Sequence, residues 1–361
     1  MALTNFISFK QMQMKDNEQH GFVLELIERA SSSATLTGDL CFSCGRQPTT
    51  GQGEHVIPKW LQKRFNLANE RIMLINGTYL PYRSLTVPCC TDCNNGFLRN
   101  IENSIVEFVS NSAVERAAYR LKLAQWMCKI LIGLLVKEKA LPFDRRNPGK
   151  GSIAPPDILE DFMHAQLILQ SARKETIFHA LHGDFPFSLY LYKVVPDSSF
   201  GNFDLSTHLG GQSISIRIGT VGVIFVNDGG LQMEVGSMGP LGLAGKELHP
   251  IQFSEVTARV HYKASLRDAT HSYVSNETPE RLLVNQTAVH PYTNIRFEDG
   301  AQRIFRPWSD VDCASFIARY RNVDWGTVYD PSTELFSSTL MDRNGDLPDP
   351  RSIENQLNRR I

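Results

Sequence analysis

The feature that most constrains this chain is a pair of C-x2-C motifs. Cys41 and Cys44 form the first motif and Cys90 and Cys93 form the second, in a chain with only seven cysteines. Isolated core cysteines have no reason to repeat a two-residue gap, so ordinary buried thiols or disulfides are the weaker interpretation. Four thiolates predict a closed tetrahedral zinc site. Because zinc binding to such motifs is worth about 10–16 kcal/mol, the metal would hold this segment folded.

Between the motifs lies a short segment whose residue types suit acid and base chemistry. A closed four-cysteine site leaves no open position on its metal, so any reaction must use other residues. Glu54 and His55 stand just before Val56, Ile57 and Pro58, which predicts a short strand or hairpin ending at the proline. After the second motif, apolar residues recur at helical spacing: Phe97, Ile101, Ile105 and Phe108. The predicted order is hairpin, connection and helix.

This order of motifs resembles that of HNH endonucleases, which have a ββα-metal fold with a zinc-binding knuckle. The residues that carry the resemblance are C-x2-C at 41–44, Glu-His-Val-Ile-Pro at 54–58 and Cys-Thr-Asp-Cys-Asn-Asn-Gly-Phe at 90–97. They occur in the family's order and occupy only a small part of the 361 residues.

The resemblance implies a role for each motif residue. Glu54 would ligate a catalytic divalent ion, and His55 would be the general base that activates water. The last motif ligand maps to Asn94, with Asn95 as the alternative if the register shifts by one. The middle Asn of the family name maps only loosely, to Asn76.

Elementary chemistry favours the same roles. A neutral histidine with a pKa near 6.5 is suited to take a proton from water at neutral pH. A carboxylate and an amide oxygen are hard ligands that favour Mg²⁺ or Mn²⁺. Since Glu54 is the one obvious catalytic carboxylate of the segment, we expect a single catalytic ion. The resemblance implies hydrolysis of DNA to a 3′-hydroxyl and a 5′-phosphate; the alternatives are an RNA nuclease and a non-catalytic zinc-knuckle module that binds nucleic acid or protein.

Basic residues near these motifs are candidates for nucleic-acid contacts. Lys59, Lys63 and Arg64 recur at helical spacing, and Arg99 follows on the predicted helix. They form either a phosphate-facing strip or an ordinary solvated surface. The net charge of -1 gives no global attraction to nucleic acid, and nothing here reads base edges, so little sequence specificity is expected.

The predicted fold class is α+β, with an N-terminal ββα-metal nuclease, a central buried helix and a C-terminal mixed domain with a mainly antiparallel sheet. We divide the chain into an N-terminal helical arm, the nuclease domain with its zinc knuckle, a connecting helix with linker, and a C-terminal α+β domain: 1–40, 41–110, 111–150 and 151–361. The arm has a short amphipathic helix near 19–30, and 112–139 predicts the buried helix.

The C-terminal half predicts elements but no catalytic motif. Helix is expected at 156–174 and 309–321, and strands at 185–195, at 213–228 as a pair broken at Gly219 or Gly222, and near 231–236 and 255–263. The glycine-rich segment 236–246 lacks the order of a phosphate loop. His179 and His182 have metal-like spacing without a third ligand, so we interpret them as structural.

The layout suggests regulation. It resembles that of bacterial defence effectors, in which a nuclease is joined to a sensor or partner-binding module. We therefore expect an activating ligand or protein partner to act through the C-terminal domain, with a homodimer as one compatible assembly. The first 40 residues have no long apolar run, which predicts neither a signal peptide nor a membrane anchor and points to the cytoplasm.

Overall fold

The first part of the chain alternates short strands with helices. The computed structural model describes residues 22–32, 39–48, 53–110, 116–155, 157–234, 240–243, 246–291, 304–342 and 344–353. In chain order the first elements are α1 (Phe22–Ser31), β1 (Gly53–His55), α2 (Lys59–Arg64), β2 (Arg71–Met73), β3 (Tyr79–Pro81), β4 (Thr86–Pro88), α3 (Thr91–Cys93), α4 (Arg99–Ser110) and α5 (Arg120–Lys139). A π-helical turn at Asn94–Leu98 joins α3 to α4. A helix therefore does follow the second cysteine motif, as predicted.

Helix α5 lies in the largest hydrophobic core. Every residue from Leu123 to Val136 is buried, including Lys129, so the prediction of a buried central helix is confirmed. The same core contains residues from both halves of the chain, among them Val56 and Phe225. A methyl group on Gly133 would come within about 3.2 Å of the Val56 γ carbons, so the glycine lets the segment after β1 lie against α5.

Two sheets form most of the second half. Its elements are α6 (Ile158–Asp161), α7 (Met163–Gln170), β5 (Glu175–His179), β6 (Ser188–Val194), β7 (Phe203–His208), β8 (Ser213–Ile218), β9 (Val221–Val226), β10 (Glu247–Leu248), α8 (Pro250–Ser265), β11 (Ala269–Glu277), β12 (Arg281–Pro291), α9 (Asp310–Arg321), β13 (Tyr329–Asp330) and β14 (Leu335–Phe336). The five-stranded sheet has the order β10-β6-β9-β8-β7, and a three-stranded sheet has the order β11-β12-β5. Only β10–β6 and β12–β5 pair in parallel among the described strands. The chain is thus mixed α and β with mainly antiparallel sheets, as expected.

The β8–β9 hairpin turns at Gly219, the first of the two predicted break points. Gly219 has a φ of +59°, which favours glycine. Gly222 instead lies inside β9, where a Cβ would stand 2.4 Å from the Phe253 ring. That glycine lets α8 pack closely on the sheet.

The strands predicted near 231–236 and 255–263 are wrong. Residues 231–234 form a 3₁₀ turn, 235–239 lie outside the described residues, and α8 covers the second range. The β-branched residues of α8 suggested a strand. In the structure Phe253, Val256 and Val260 instead share the buried face of a helix, which starts at a His249 cap followed by Pro250. A histidine cap is an uncommon start signal.

Strands β11 and β12 were not predicted, because the chain there reads as polar. Burial alternates along both strands: Ala269, His271 and Tyr273 face inward on one, and Leu282, Val284 and Gln286 on the other. Polar residues at every second position hid the pattern.

The remaining predicted elements are largely confirmed. The helices at 19–30, 156–174 and 309–321 correspond to α1, to α6 with α7, and to α9, and the strand at 185–195 to β6. Residues 19–21 of the first predicted helix lie outside the described residues, as do residues 354–361. Among the helices the structure describes, none combines the length and apolar character that crossing a bilayer requires.

Candidate metal centre and active site

Four cysteine sulfurs meet in one cluster, as the two motifs predict. The Sγ atoms of all four motif cysteines lie within 4.8 Å of one another: Cys41, Cys44, Cys90 and Cys93. In the first motif Gly45, with a φ of +67°, donates its N–H to the Cys41 carbonyl at 2.8 Å. The Phe42 N–H donates to the Pro88 carbonyl at 3.0 Å, which ties the first motif to the strand before the second.

This cluster fits a zinc ion. Sulfurs around tetrahedral zinc stand about 3.8 Å apart, and those of Cys44 and Cys90 are 3.6 Å apart. Thiol hydrogen bonds lower the pKa of Cys41, whereas the bond to Cys41 raises the pKa of Cys44. The cysteine group could bind a metal such as zinc.

A fifth thiol, Cys89, lies beside the cluster. Its Sγ is 3.9 Å from that of Cys41, and its hydrogen bond to Cys41, together with burial, raises the pKa of Cys89. The sequence shows Cys89 only as a neighbour of the second motif. In the structure it is the thiol placed to compete with Cys90.

Helix α7 and the turn after it hold the knuckle from the second half of the chain. Gln166 donates to the Phe42 carbonyl at 3.2 Å, and Gln170 donates to the Ser43 carbonyl. Arg173 donates to the Cys93 Sγ at 3.0 Å. A hydrogen bond to a metal-binding sulfur stabilises its thiolate form, so the second half contributes directly to the metal centre.

Strand β1 presents the predicted catalytic pair. It is antiparallel to β4, with Glu54 opposite Val87 and His55 opposite Thr86. The chain then leads from β4 through the second cysteine motif into α3 and α4. The pairing of β1 with β4 thus connects Glu54 and His55 to the segment that contains the second cysteine motif.

A buried lysine joins Glu54 to a second carboxylate. The Lys129 ammonium contacts Oε1 of both Glu54 and Glu102, and lies 3.4 Å from the His55 carbonyl. The exposed fractions of the side chains are 0% for Lys129, 12% for Glu54 and 21% for Glu102. We name these three residues the Glu-Lys-Glu triad.

The triad carries strong electrostatic coupling. Burial lowers the pKa of Lys129, but the charges of Glu102 and Glu54 outweigh burial and leave that pKa raised. Burial raises the pKa of Glu102, and Lys129 only partly offsets this. Perturbed titratable groups clustered beside a candidate base are typical of functional sites. Glu102 and Lys129 could not be recognised from the sequence, because each looks like an ordinary residue of a helix.

His55 is half-buried, and its surroundings favour the neutral ring. Burial lowers its pKa, and the positive charge of Lys59 adds to the effect while Glu54 opposes it. Gln62 lies 3.5 Å from Nδ1 and donates to the Ile57 carbonyl at 2.7 Å. The ring is therefore suited to accept a proton near pH 7.

The predicted asparagine ligands form no hydrogen bond with Glu54 or His55 in the described part of the chain. Asn94 is half-buried and Asn95 exposed on the π-helical turn, which is kinked at Gly96. Asn76 belongs to the β2–β3 turn, where it accepts from the Thr78 N–H at 3.0 Å and donates to the Phe143 carbonyl at 2.9 Å. It has a structural role there.

The predicted nucleic-acid contacts all face solvent. Lys59, Lys63 and Arg64 are exposed on α2, and Arg99 is exposed at the start of α4. His179 and His182 belong to no group of metal-ligating side chains in the described part of the chain.

Comparison with protein-family models, curated proteins and solved structures found no match for the chain. The likeness to HNH endonucleases therefore rests on the motif residues alone.

Proposed function

We propose that this protein is an HNH-type endonuclease that hydrolyses phosphodiester bonds, with DNA as substrate. The observation that carries the proposal is that His55 follows Glu54 on β1, and that Lys129 joins Glu54 to a second carboxylate, Glu102. A neutral histidine next to coupled carboxylates supplies both a base and hard oxygen ligands.

His55 would take the proton from the attacking water. Its half-buried ring keeps the neutral form that this step needs, and Gln62 limits rotation of the ring. A structural zinc on the four cysteines would fix β4 and the helix that follows, and so would fix the position of His55.

Glu54 and Glu102 are the residues that would hold Mg²⁺ or Mn²⁺. Lys129 contacts Oε1 of each carboxylate, which holds the two groups close together. A divalent ion there would stabilise charge on the phosphate oxygens. Asn94, with Asn95 as its alternative, stays a proposed additional ligand.

Lys129 would keep the two carboxylates ionised and close together. Two adjacent carboxylates repel each other, and a buried ammonium between them offsets the repulsion. The triad keeps a net charge of about -1 when all three groups are ionised, which still attracts a cation.

A non-catalytic knuckle that binds nucleic acid or protein remains the second candidate, favoured by the near-neutral net charge of -1. An RNA nuclease is a variant of the first, because the reaction at phosphorus is similar. We further propose that the C-terminal half restrains or activates the nuclease in a bacterial defence setting. The support for this proposal is the set of hydrogen bonds that α7 and the turn after it donate to the knuckle.

The deciding experiment is cleavage of supercoiled plasmid by the full chain with Mg²⁺ or Mn²⁺. Nicking or linearisation should disappear in His55→Ala at equal zinc content and persist in His179→Ala, a control at an exposed histidine. Binding without cleavage, under every metal and nucleotide added, would instead support the knuckle module. Parallel reactions with RNA distinguish a DNA nuclease from an RNA nuclease.

A further inference from the structure

The hairpin of β2 and β3 has one face on the core and one face toward solvent. Ile72 is paired with Leu80, and both pack against the main core. Side chains alternate between faces along a strand, so Arg71, Met73 and Tyr79 share the outer face. Met73 and Tyr79 are directly opposite each other and are 47% and 58% exposed.

A second loop lies against the tip of this hairpin. Asn76 in the hairpin turn donates to the Phe143 carbonyl at 2.9 Å, and the Phe143 N–H donates to Gly151 across the loop 142–152 at 2.8 Å. Phe143 is 54% exposed and Ile75 is 59% exposed. The hairpin and loop together therefore expose several large apolar side chains.

We name this surface the hairpin patch: Met73, Ile75, Tyr79 and Phe143. Its two segments, 70–83 and 142–152, carry five cations against Glu70 and Asp144: Arg71, Arg83, Arg145, Arg146 and Lys150. The local excess of positive charge contrasts with the net charge of -1 for the whole chain.

Helix α5 connects the patch to the candidate active site. Lys129 contacts Glu54, and nine positions further along Glu138 accepts from the Ile75 N–H at 3.1 Å. Nine residues are about two and a half turns, so the two contacts are about 14 Å apart along the helix axis and lie on opposite sides of the helix. Between them, Lys137 donates to the carbonyl of Thr86, the strand partner of His55, at 3.3 Å.

We propose that the hairpin patch binds unpaired nucleotides of the substrate strand, away from the phosphate that is cleaved. This inference rests on the proposed nuclease function. Exposed aromatic and sulfur-containing side chains provide stacking surfaces for bases, and arginines around them contact phosphates. A fully paired duplex keeps its bases stacked inside, so it could not use such a surface. The preferred substrate would therefore have a single-stranded or opened segment.

The two contacts lie on opposite sides of α5. Tyr79 should therefore contact bases away from the scissile phosphate, with no contact at the scissile position itself.

The test measures binding by the full-length His55→Ala protein, which is not expected to cleave, to a fluorescent oligo-dT strand and to a blunt duplex. Single-stranded DNA should bind more tightly. Tyr79→Ala should weaken that binding at least about fivefold, the lower end for loss of one stacked base. Leu335→Ala, at an exposed apolar residue of β14, is the matched control and should leave binding unchanged.

Two further readouts make the result specific. Replacing Arg145 and Arg146 together with alanine should reduce the slope of log affinity against log salt by about 1.4, because each contact to a single strand contributes about 0.7. A photo-crosslinking amino acid in place of Tyr79 should react with a base of the bound strand away from the cleavage site.

The outcomes separate this inference from the nuclease proposal. Cleavage by the parent protein with unchanged single-strand binding in Tyr79→Ala would overturn the patch and leave the nuclease intact. Failure of the parent to cleave or bind any nucleic acid would overturn both. Concentration-dependent self-association that Tyr79→Ala abolishes, without DNA binding, would overturn the inference in favour of a protein contact.

Discussion

The Glu-Lys-Glu triad predicts a large and specific cost for removing its lysine. In Lys129→Met, a side chain of similar length and full burial replaces the ammonium, and Glu54 and Glu102 lose their shared partner. Each carboxylate must then either stay charged without a counterion or take up a proton on folding. Both alternatives lower the free energy of unfolding.

The magnitude follows from burial. Removing one partner of a buried ion pair costs about 3–5 kcal/mol. Because both carboxylates are partly exposed, we expect the loss in Lys129→Met to be at the lower end, about 3 kcal/mol. The pKa of Glu102 is already raised and would rise further without Lys129. A carboxyl whose folded-state pKa is raised loses stability as pH increases toward that pKa. The deficit of the variant should therefore be larger at pH 8 than at pH 5.

Urea unfolding in buffer without added Mg²⁺ or Mn²⁺ measures this deficit. Lys122→Met is the matched control, because Lys122 lies on the same helix, is half-buried, and has a pKa that burial alone lowers. It should change stability by less than about 1 kcal/mol. Adding Glu54→Gln and Glu102→Gln to Lys129→Met should recover most of the loss. Wild-type stability in Lys129→Met at pH 8, or a deficit equal at pH 5 and pH 8, would refute the reasoning.

Three further predictions concern the cysteine cluster, the buried carboxyl of Glu138 and the positive φ of Gly45. Purified protein should contain one zinc per chain by elemental analysis; Cys90→Ser should lose it and Cys89→Ser should keep it, whereas the reverse result would move the ligand set by one residue. Burial raises the pKa of Glu138 to about 7, so its ionisation destabilises the fold above that pH. In urea unfolding, Glu138→Gln should therefore raise the free energy of unfolding by up to about 3 kcal/mol at pH 8 and by little at pH 5. Gly45→Ala should lower the free energy of unfolding by about 1–3 kcal/mol more than Gly77→Ala. Both glycines have positive φ, but only a Cβ at position 45 would meet Arg29, at 2.6 Å. Equal losses of stability would contradict the steric argument.

The cysteine cluster could be predicted because its signal is local. Two motifs with fixed spacing bring four thiols to one point through short turns, and little else in the fold is needed to place them. Helix α5 was similarly predictable, since a long apolar run too short for a membrane must be buried. By contrast, the segment 255–263 of α8 predicts a strand, because its β-branched residues favour a strand more strongly than its apolar spacing favours a helix.

The triad could not be predicted for a different reason. Glu54 and Lys129 are 75 residues apart in sequence, and their contact depends on how α5 packs under β1. Polarity suggested that Lys129 would interrupt an apolar surface, whereas the structure pairs it inside the core. Long-range pairs of charged residues leave no periodic pattern, so a single sequence cannot identify them.

The triad also bears on where the candidate nuclease ends. The segment predicted as the nuclease domain, 41–110, contains Glu54, His55 and Glu102 but not Lys129. Without α5 the two carboxylates would lack their counterion, and the core face that α5 covers would meet water. Similarly, α7 supplies the donors to the knuckle carbonyls. The contacts that hold this site therefore cross the predicted domain boundaries, so a signal that shifts α5 or α7 could act directly on the positions of Glu54 and the cysteine cluster.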